Sequence, residues 1–542
     1  PGLSLNATAE IPEQRAVFTD GDAHTSIDAG AEAGSFGYLD SLTSALPYHL
    51  ANPQRVAVLG AGGGALVRQA LYHNTASITA VELNPQMVDL VQNDYRDFSG
   101  GIYGLNSVDV RIEDARGFFS GKPPSFDLIE IELIDSFAAS SAGLLALNAS
   151  YLYTVEAFSE YFANLNDGGY LAISRWVKLP PRDTLKLFAT AIEMLRSSSV
   201  STPATHLLMI RGWQTSTVLV KNGHFTEQEI AAARRFCDTH SFDLVFYADM
   251  PETLANRYNV LSDPVHYRAA QALTGHSPRV YLDDYKFNIN PATDDRPYFF
   301  YFFKWQSLPE ILSLVGQGGV PLLESGYLIL IATLIQAVFV SAALVLLPLW
   351  KRMRHANVHR RRMTWYFCAL GFAFFFVEIA FIQKFLLFLH HPVMSVASIL
   401  GGFLIFAGMG SYMAGRWHVQ RNEHNIILAA AVSIVTIGLL YVILLPTVVF
   451  EPLASANLPT KLAVSVLLTG ILAIPMGMPF PLGIARLGER APNLVPTAWA
   501  INGCASVISA VLATVLAIHF GFTVVLLLAF ALYLSAAIAF RF

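Results

Sequence analysis

Residues 55–82 read RVAVLGAGGGALVRQALYHNTASITAVE: an apolar strand, a glycine-rich turn, a helix and a second strand that ends in a carboxylate. The run Val56 to Leu59 is short, apolar and partly β-branched, which is typical of a buried parallel strand. The glycines that follow allow a sharp turn and a close approach to a ligand, and the next helix offers its first amide N–H groups. Glu82 stands 22 residues after Gly60, where a doubly wound fold places the acid that binds ribose hydroxyls. The stretch predicts a nucleotide-cofactor site, and a tight turn without a ligand is the alternative.

The alternation of strand and helix continues on both sides of this unit. We expect strands at Val108 to Ile112, Leu128 to Leu133 and Tyr170 to Ser174, helices at Pro85 to Tyr95 and Thr154 to Leu165, and a strand pair at His206 to Met209 and Thr215 to Lys221. An earlier pair of strand-like pieces, Val17 to Asp28, predicts a small β-unit ahead of the main sheet. The soluble part is therefore predicted to have a doubly wound α/β fold.

Composition separates this soluble part from a membrane part. The chain has 542 residues, 54% of them hydrophobic and 14% charged, whereas soluble proteins have about 25% charged residues. The apolar character begins after about residue 322 and predicts seven spans: Tyr327 to Trp350, Thr364 to Leu389, Met394 to Gly415, Ile426 to Val449, Leu462 to Ile484, Thr497 to His519 and Phe522 to Phe540. Each is long enough to cross a hydrocarbon core of ~30 Å. Pro475, Gly477 and Pro479 predict a kink or a break in the fifth span.

Four segments follow from these patterns. We predict an N-terminal β-unit and helix in residues 1–54, a Rossmann-like domain in 55–222, a C-terminal extension with an interfacial segment in 223–322 and a transmembrane helical bundle in 323–542. The aromatic run of Ala292 to Trp305 is expected to form an interfacial belt on the bilayer, with a substrate role for Asp294 or Asp295 as the alternative. The net charge of −5 gives no reason to expect nucleic acid, and the three cysteines form no metal or redox motif.

The soluble part resembles the spermidine synthase family, aminopropyltransferases of the S-adenosylmethionine fold, over roughly residues 15 to 180. The loop GAGGGA is similar to the family's GGGDGG, Glu82 matches its ribose acid, and Glu113-Asp114-Ala115 matches the segment whose Asp binds the adenine amino group. ELID, Glu132 to Asp135, stands where the family has its DxxD catalytic pair, and Tyr38-Leu39-Asp40 stands where it has Tyr-His-Glu. The resemblance implies an α/β Rossmann-like soluble domain of methyltransferase type with a small N-terminal β-unit, fused to an all-α polytopic bundle of about seven helices.

The same resemblance implies the site residues. The expected co-substrate is decarboxylated S-adenosylmethionine or S-adenosylmethionine, and no metal is expected. The residues expected to bind this co-substrate are Gly60, Gly62, Gly64, Glu82 and Asp114. Glu132 and Asp135 are expected to be catalytic, and Tyr38 and Asp40 are expected to bind the acceptor. The competing interpretation is structural: such acids also cap helices or pair with Arg68 or Arg116.

Several positions depart from the family pattern. Gly63 replaces the loop Asp that faces the aminopropyl group, Glu132 replaces the first Asp of DxxD, Leu39 and Asp40 replace His and Glu, and His24 aligns with an early Gln. The nucleoside half of the site is better preserved than the diamine half.

Nearly the whole chain resembles bacterial proteins described as membrane-fused and spermidine synthase-like. The shared features are Tyr38 to Leu50, the GAGGG loop, Arg175-Trp176, Thr293 to Pro297 and the membrane stretches. A multi-pass protein of the bacterial inner (plasma) membrane is implied. The basic loops, which include Lys351 to Arg362, all fall on one side of the membrane, so the positive-inside rule predicts an extracytoplasmic soluble domain.

Two functions remain open on the sequence. The first is a membrane-bound transferase that moves an aminopropyl or other alkyl group from a sulfonium nucleoside to a small amine. The alternative is a catalytically degenerate extracytoplasmic binding or assembly module, or a transporter-associated domain, that keeps the fold. Expected partners are the amine substrate, the lipid bilayer and either a second copy or another membrane protein. Glu378, an ionisable residue near the middle of a span, is a further functional candidate.

Overall fold

The structure is a computed structural model that describes residues 2–19, 23–30, 33–131, 133, 147–315, 325–348, 359–418 and 423–541. Contacts divide the chain into two compact units, Pro1–Tyr327 and Leu328–Phe542. Each unit is described below by itself.

The first unit contains a two-stranded and an eight-stranded sheet. The strands are β1 (Gln14–Thr19), β2 (Ala23–Asp28), β3 (Arg55–Leu59), β4 (Ser77–Glu82), β5 (Val108–Ile112), β6 (Phe126–Ile131), β7 (Leu165–Trp176), β8 (Leu207–Arg211), β9 (Thr215–Lys221) and β10 (Asp243–Phe246). The large sheet has the order β10-β8-β9-β7-β6-β3-β4-β5, and β1 pairs with β2 in an antiparallel hairpin. Strands β5, β4, β3, β6 and β7 are parallel, while β9 runs antiparallel beside β7.

This order is that of a Rossmann-like sheet, so the predicted fold class is confirmed. The central strand β3 is fully buried from Val56 to Leu59, as expected for a strand covered on both faces. The hairpin predicted ahead of the sheet is present as β1 and β2. One detail differs from the expected segments: β10 lies beyond residue 222 and still joins the large sheet.

Helices cover both faces of the large sheet. The helices described in the first unit are α1 (Leu46–Leu50), α2 (Ala65–Tyr72), α3 (Pro85–Asp89), α4 (Arg96–Ser99), α5 (Ala115–Ser120), α6 (Val155–Ala163), α7 (Asp183–Ser197), α8 (Glu227–His240), α9 (Val265–Thr274), α10 (Pro278–Asp284) and α11 (Leu308–Val315). One core layer packs α1, α2 and α8 against the sheet, and the other packs α5, α6, α7 and α9 against the opposite face. A 3₁₀ segment, Ala33–Ser41, precedes α1.

The aromatic run before residue 305 lies in the core of the first unit, which corrects the expectation of an interfacial belt. Phe299, Phe302 and Phe303 are at most 1% exposed. The Lys186 ammonium donates to the carbonyls of Tyr298 (3.1 Å) and Tyr301 (2.9 Å) and lies 5.1 Å from the ring centre of Phe302. Phe299 and Phe302 therefore belong to the apolar core of the first unit, and their ring faces also attract its buried cations.

The second unit is helical. The boundary between the two units falls within α12 (Ser325–Val340). The other helices of the second unit are α13 (Arg360–Leu389), α14 (Pro392–His418), α15 (Glu423–Leu444), α16 (Leu458–Met476), α17 (Pro479–Arg490), α18 (Val495–Phe520) and α19 (Phe522–Ala539). Seven helical stretches in the described part of the chain are long and apolar enough to cross a membrane. The predicted break in the fifth span is confirmed, because α16 ends at Met476 and α17 begins at Pro479.

Candidate functional site

The carboxyl ends of four neighbouring strands form one edge of the sheet. Strand order reverses between β3 and β6, and open α/β sheets bind ligands in the crevice at such a point. Leu59, the last residue of β3, pairs with Ile131, the last residue of β6. The glycine loop, which follows Leu59, therefore begins beside the last residue of β6.

The glycine loop is a closed, preformed turn. Gly60, Gly62 and Gly64 have φ angles of 76°, 49° and 92°, which favour glycine. A Cβ on Gly63 would stand 2.0 Å from the carbonyl oxygen of Ser26, so strand β2 covers the loop and only glycine fits there. The departure from the family's Asp at this position thus has a structural cause.

The amide groups of this loop already have protein partners. Gly60 and Ala61 donate to the Val81 carbonyl, Gly62 to Glu82 Oε2 (2.9 Å), Gly63 to Thr25 Oγ1 (2.9 Å) and Gly64 to the Ala61 carbonyl. A dinucleotide site would instead direct such amides at a pyrophosphate. The loop therefore suits a nucleoside without phosphate better than a dinucleotide.

Glu82 ends β4 directly beside this loop. Its Oε1 accepts from Asn84 N (2.8 Å) and its Oε2 from Gly62 N. Each carboxylate oxygen has a second lone pair, so the group can still accept from ribose hydroxyls. The two amide bonds hold the carboxylate in place before any ligand arrives.

Asp114 follows β5, the next strand along the edge. Its Oδ1 accepts from Arg116 N (2.9 Å) and Gly117 N (3.3 Å), so the residue caps the N-terminus of α5. The capping role considered from the sequence is therefore present. Oδ1 makes both cap bonds, and a carboxylate can accept further donors.

Asp294 forms an ion pair with Arg116 that has a structural role. Its carboxylate oxygens accept from the two terminal nitrogens of Arg116 at 3.0 and 3.1 Å, and Thr154 Oγ1 donates to it at 2.7 Å. Arg116 is buried and also contacts Glu160. This bidentate pair is one of the structural interpretations of the acids, and it ties the segment around Asp294 to α5 and α6.

Tyr38 lies in a buried polar group behind the glycine loop. Its hydroxyl donates to Asp28 Oδ2, and Gln14 Nε2 donates to Asp28 Oδ1 at 2.9 Å. Burial and the bond to Asp28 raise the pKa of the Tyr38 phenol, which stays neutral. The Arg68 guanidinium also belongs to this group, because it donates a hydrogen bond to the Asp28 carbonyl oxygen at 2.7 Å.

Asp40 is held by two histidines. Its Oδ1 lies 2.7 Å from His49 Nε2 and 3.0 Å from His73 Nε2. Burial alone raises the pKa of the Asp40 carboxyl, but the adjacent imidazoles outweigh it and hold that pKa well below its usual range. His73 follows the C-terminal end of α2, whereas the glycine loop precedes its N-terminus.

Glu130 is a fully buried acid on β6. Tyr48 donates to its Oε2 at 2.8 Å, while Oε1 is buried and makes no hydrogen bond to the residues that the structure describes. Burial raises the pKa of the Glu130 carboxyl to about 8. Its neutral form is therefore the stable one at pH 7.

The remaining candidates fall in different places. Glu132 and Asp135 lie outside the described residues. Arg175 and Trp176 are buried in the core, where the Arg175 guanidinium stands 5.0 Å from the ring centre of Phe300. Glu378 is 4% exposed within α13 of the helical unit.

Several polar residues of the site were not singled out from the sequence: Gln14, Asp28, Tyr48, His49 and His73. Tyr48 and His49 lie within the stretch Tyr38 to Leu50 and His73 lies within residues 55–82, but no spacing rule connects these polar residues with one another. Glu130 could be recognised from the sequence, because its alternation with Glu132 predicts that the two acids share one face of a strand.

Comparison with known proteins bears on the same part of the chain. Residues 36–175 match the model of the spermine/spermidine synthase domain. The polyamine aminopropyltransferase of Sulfurisphaera tokodaii is 26% identical over 147 residues, which cover 27% of this chain and 45% of that protein. Polyamine aminopropyltransferase 2 of Bacillus anthracis is 27% identical over 135 residues, or 24% of this chain and 35% of that one.

Among solved structures, the spermidine synthase of Thermotoga maritima is similar at 15% identity with a TM-score of 0.29, covering 49% of this chain and 85% of that one. The chain spans less than half the length of the curated relatives named above. The matched residues include the glycine loop, Glu82, Asp114 and the end of β6. Residues 36–175 thus match a spermine/spermidine synthase domain, and the protein is spermidine synthase-like.

Proposed function

We propose that this protein is a membrane-bound transferase that moves an aminopropyl group from decarboxylated S-adenosylmethionine to a small amine. One observation carries the proposal: the order of functional groups along the carboxyl edge of the sheet. From β5 to β3, that edge presents Asp114, Glu82 and then the glycine loop, and the next strand, β6, ends at Ile131 beside β3.

This order matches the order of groups in the donor. Adenine is joined to ribose, ribose to the sulfonium, and the sulfonium to the carbon that is attacked. Neighbouring strands stand about 4.8 Å apart, so the four strand ends span about 14 Å, close to the length of an extended sulfonium nucleoside. Asp114 then binds adenine, Glu82 binds the ribose hydroxyls, and Gly60, Gly62 and Gly64 form the tight turn beside which the sulfonium is proposed to lie.

The chemistry is a displacement at carbon. The amine nitrogen attacks the carbon beside the sulfonium, the carbon–sulfur bond breaks towards sulfur, and methylthioadenosine leaves. The amine proton passes to a carboxylate, a role proposed for Glu132, with Asp135 holding the acceptor's ammonium. Both acids follow Ile131 in the sequence, and Ile131 pairs with Leu59, the residue before the glycine loop; this pairing supports the roles proposed for them.

The acceptor is proposed to approach from the side of the N-terminal hairpin. Tyr38, paired with buried Asp28, offers a phenolic oxygen next to strand β2, which contacts the loop. Binding of the acceptor by Asp40 stays a prediction from the resemblance, because its carboxylate already faces His49 and His73.

The helical unit is proposed to anchor the transferase in a bilayer. Seven long apolar helices support a multi-pass protein, and the basic loops support an extracytoplasmic position of the soluble unit. Glu378 is proposed to have a relay or packing role inside the bundle, since a buried ionisable group in such helices is costly. A second copy or another membrane protein as partner stays open.

A second candidate function is favoured by Gly63. Strand β2 occupies the space of a side chain at this position, so the loop has no group that faces the aminopropyl chain. A module that binds a nucleoside and does not transfer the alkyl group would keep Glu82 and Asp114 and lose this contact. Turnover separates the two functions, because only the transferase releases methylthioadenosine.

Calorimetry on the full chain in nanodiscs tests the transferase. We expect decarboxylated S-adenosylmethionine to bind, and Glu82→Gln to weaken it by at least about tenfold, because a hydrogen bond to a charged group is worth about 1.5–3 kcal/mol. Glu193→Gln is the matched control, since Glu193 is exposed on α7 and far from this edge. NAD is the competing ligand and should not bind.

Two outcomes contradict the proposal. Equal affinity of Glu82→Gln and wild type would remove Glu82 from the site, and absence of heat with every sulfonium nucleoside would exclude the nucleoside function. Binding without release of methylthioadenosine, tested with putrescine and other diamines, would leave only the binding module.

A further inference from the structure

The group formed by Asp40, His49 and His73 has the composition of a metal site. One carboxylate oxygen and two imidazole Nε2 atoms converge within 4.8 Å of one another. The three residues come from the 3₁₀ segment, from α1 and from the residue after α2. Three separate segments therefore direct ligand atoms at one point.

The two imidazoles are held in position by neighbouring rings. Tyr48 stacks on His73 with ring centres 4.6 Å apart and planes 10° apart, and Tyr72 meets His73 edge-on at 5.1 Å. Phe236 packs against His49 at 4.7 Å. Rings fixed in this way lose little entropy when they bind an ion, which is what a preorganised site requires.

The hydrogen-bonding capacity of His73 Nε2 is not satisfied within the described residues. His73 Nε2 is buried and, although it stands 3.0 Å from Asp40 Oδ1, it makes no hydrogen bond within the described residues. The side chains of His73, Asp40 and His49 are 16%, 23% and 33% exposed, so an ion can reach the group from solvent.

We propose that Asp40, His49 and His73 bind one divalent transition-metal ion, with Zn²⁺ as the best match. Two imidazoles and one carboxylate are common zinc ligands, and a water molecule would take the fourth position. Ligand atoms around a tetrahedral zinc stand about 3.3 Å apart, given zinc–ligand distances of about 2.0–2.1 Å. The separations of 2.7 and 3.0 Å need to open by only a few tenths of an ångström.

The ion would act on structure and not in the transfer reaction. Helix α2 has eight residues and is about 12 Å long, and it separates His73 from the glycine loop. Metal binding would join the segment that carries Tyr38 to the far end of the helix that begins at this loop. The metal site needs neither donor nor acceptor, but it uses the Asp40 carboxylate and therefore competes with the acceptor-binding role predicted for that residue.

Metal titration of the full chain tests the site. The protein is purified without a polyhistidine tag, stripped with a chelator and titrated with Zn²⁺ against a chromophoric competitor. We expect one equivalent to bind, and His49→Gln, His73→Ala and Asp40→Asn each to weaken binding by more than about 100-fold, because even outer partners of ligands are worth 10–100-fold. His276→Ala is the matched control, since His276 is exposed and lies outside the group.

The visible spectrum of bound Co²⁺ and the effect of Zn²⁺ on the unfolding temperature can both be measured on the wild-type protein. These measurements therefore remain informative even if a variant fails to fold. Co²⁺ bound to the wild-type protein should show the intense visible bands of a tetrahedral site, and Zn²⁺ should raise the unfolding temperature of wild type but not of His49→Gln. A spectrum equal to that of aqueous Co²⁺, or equal zinc affinity of wild type and His49→Gln, would show that the three side chains form a hydrogen-bonded group without a metal.

Discussion

At the scale of single residues, Glu130 illustrates how burial changes an acid. The carboxyl is 1% exposed between β3 and β7, and Tyr48 is the residue that donates to it. Because burial raises its pKa to about 8, the folded protein holds a proton that the unfolded chain releases near its usual value of 4.5. Unfolding between these two values therefore releases a proton.

This linkage predicts a pH dependence of stability. Below about pH 4.5 both states hold the proton and the contribution of Glu130 is fully present; as pH rises towards 8 it is progressively lost. We expect Glu130→Gln to flatten the fall in unfolding temperature between pH 5 and pH 8, measured on the full chain by scanning calorimetry. Glu193→Gln should keep the wild-type slope, and an unchanged slope in Glu130→Gln would contradict the assignment.

Gly63 gives a second prediction at this scale. An alanine Cβ would stand 2.0 Å from the Ser26 carbonyl oxygen, so the hairpin must move away from the loop. We expect Gly63→Ala to cost about 1–3 kcal/mol of stability, as overpacking does, and to speed hydrogen exchange in β2. Gly104→Ala is the control, because a Cβ at Gly104 meets nothing within 4 Å. Identical exchange in both variants would disprove this contact.

At the scale of elements, glycines set the spacing of two helices in the second unit. A Cβ on Gly410 of α14 would lie 1.9 Å from the Ile474 carbonyl oxygen of α16, and one on Gly477 would lie 2.0 Å from the Ala407 carbonyl oxygen. Small residues permit such close backbone contact in membrane helices. Each glycine therefore lies against the backbone of the other segment: Gly410 against Ile474, and Gly477 against Ala407.

The pair Gly410 and Gly408 makes this spacing testable. Gly410→Ala should push α14 and α16 apart and lower the unfolding temperature of the full chain in detergent. Gly408→Ala should leave it unchanged, because a Cβ there meets nothing within 4 Å. If both variants unfold at the wild-type temperature, the two helices do not pack as described.

At the scale of the whole molecule, the side of the membrane on which the soluble unit lies decides which substrates can reach it. The basic loops predict an extracytoplasmic position, whereas sulfonium nucleosides are made in the cytoplasm. We expect Lys122→Cys, at an exposed turn, to react with an impermeant thiol reagent in intact spheroplasts, and Arg541→Cys to react only after lysis. Cys237 and Cys504 are buried, so they contribute little background. The reverse labelling pattern would overturn the orientation.

The sequence by itself determined the fold class, the position of the glycine loop beside Glu82, and the broken fifth span. These features depend on local patterns: an apolar run before glycines, an acid at a fixed distance, and prolines within an apolar stretch. Each can be inferred from a short window because the backbone conformation it requires is local.

Only the tertiary structure decided which polar groups meet. Asp28 with Tyr38, Glu130 with Tyr48, and Asp40 with His49 and His73 join residues whose separation along the chain follows no periodic rule. The aromatic run after Pro297 likewise has the composition of a membrane belt, and only the structure shows that cations lie against its ring faces. The physical reason is that hydrogen bonds and cation–ring contacts depend on distance in space, which the packing of helices on the sheet sets.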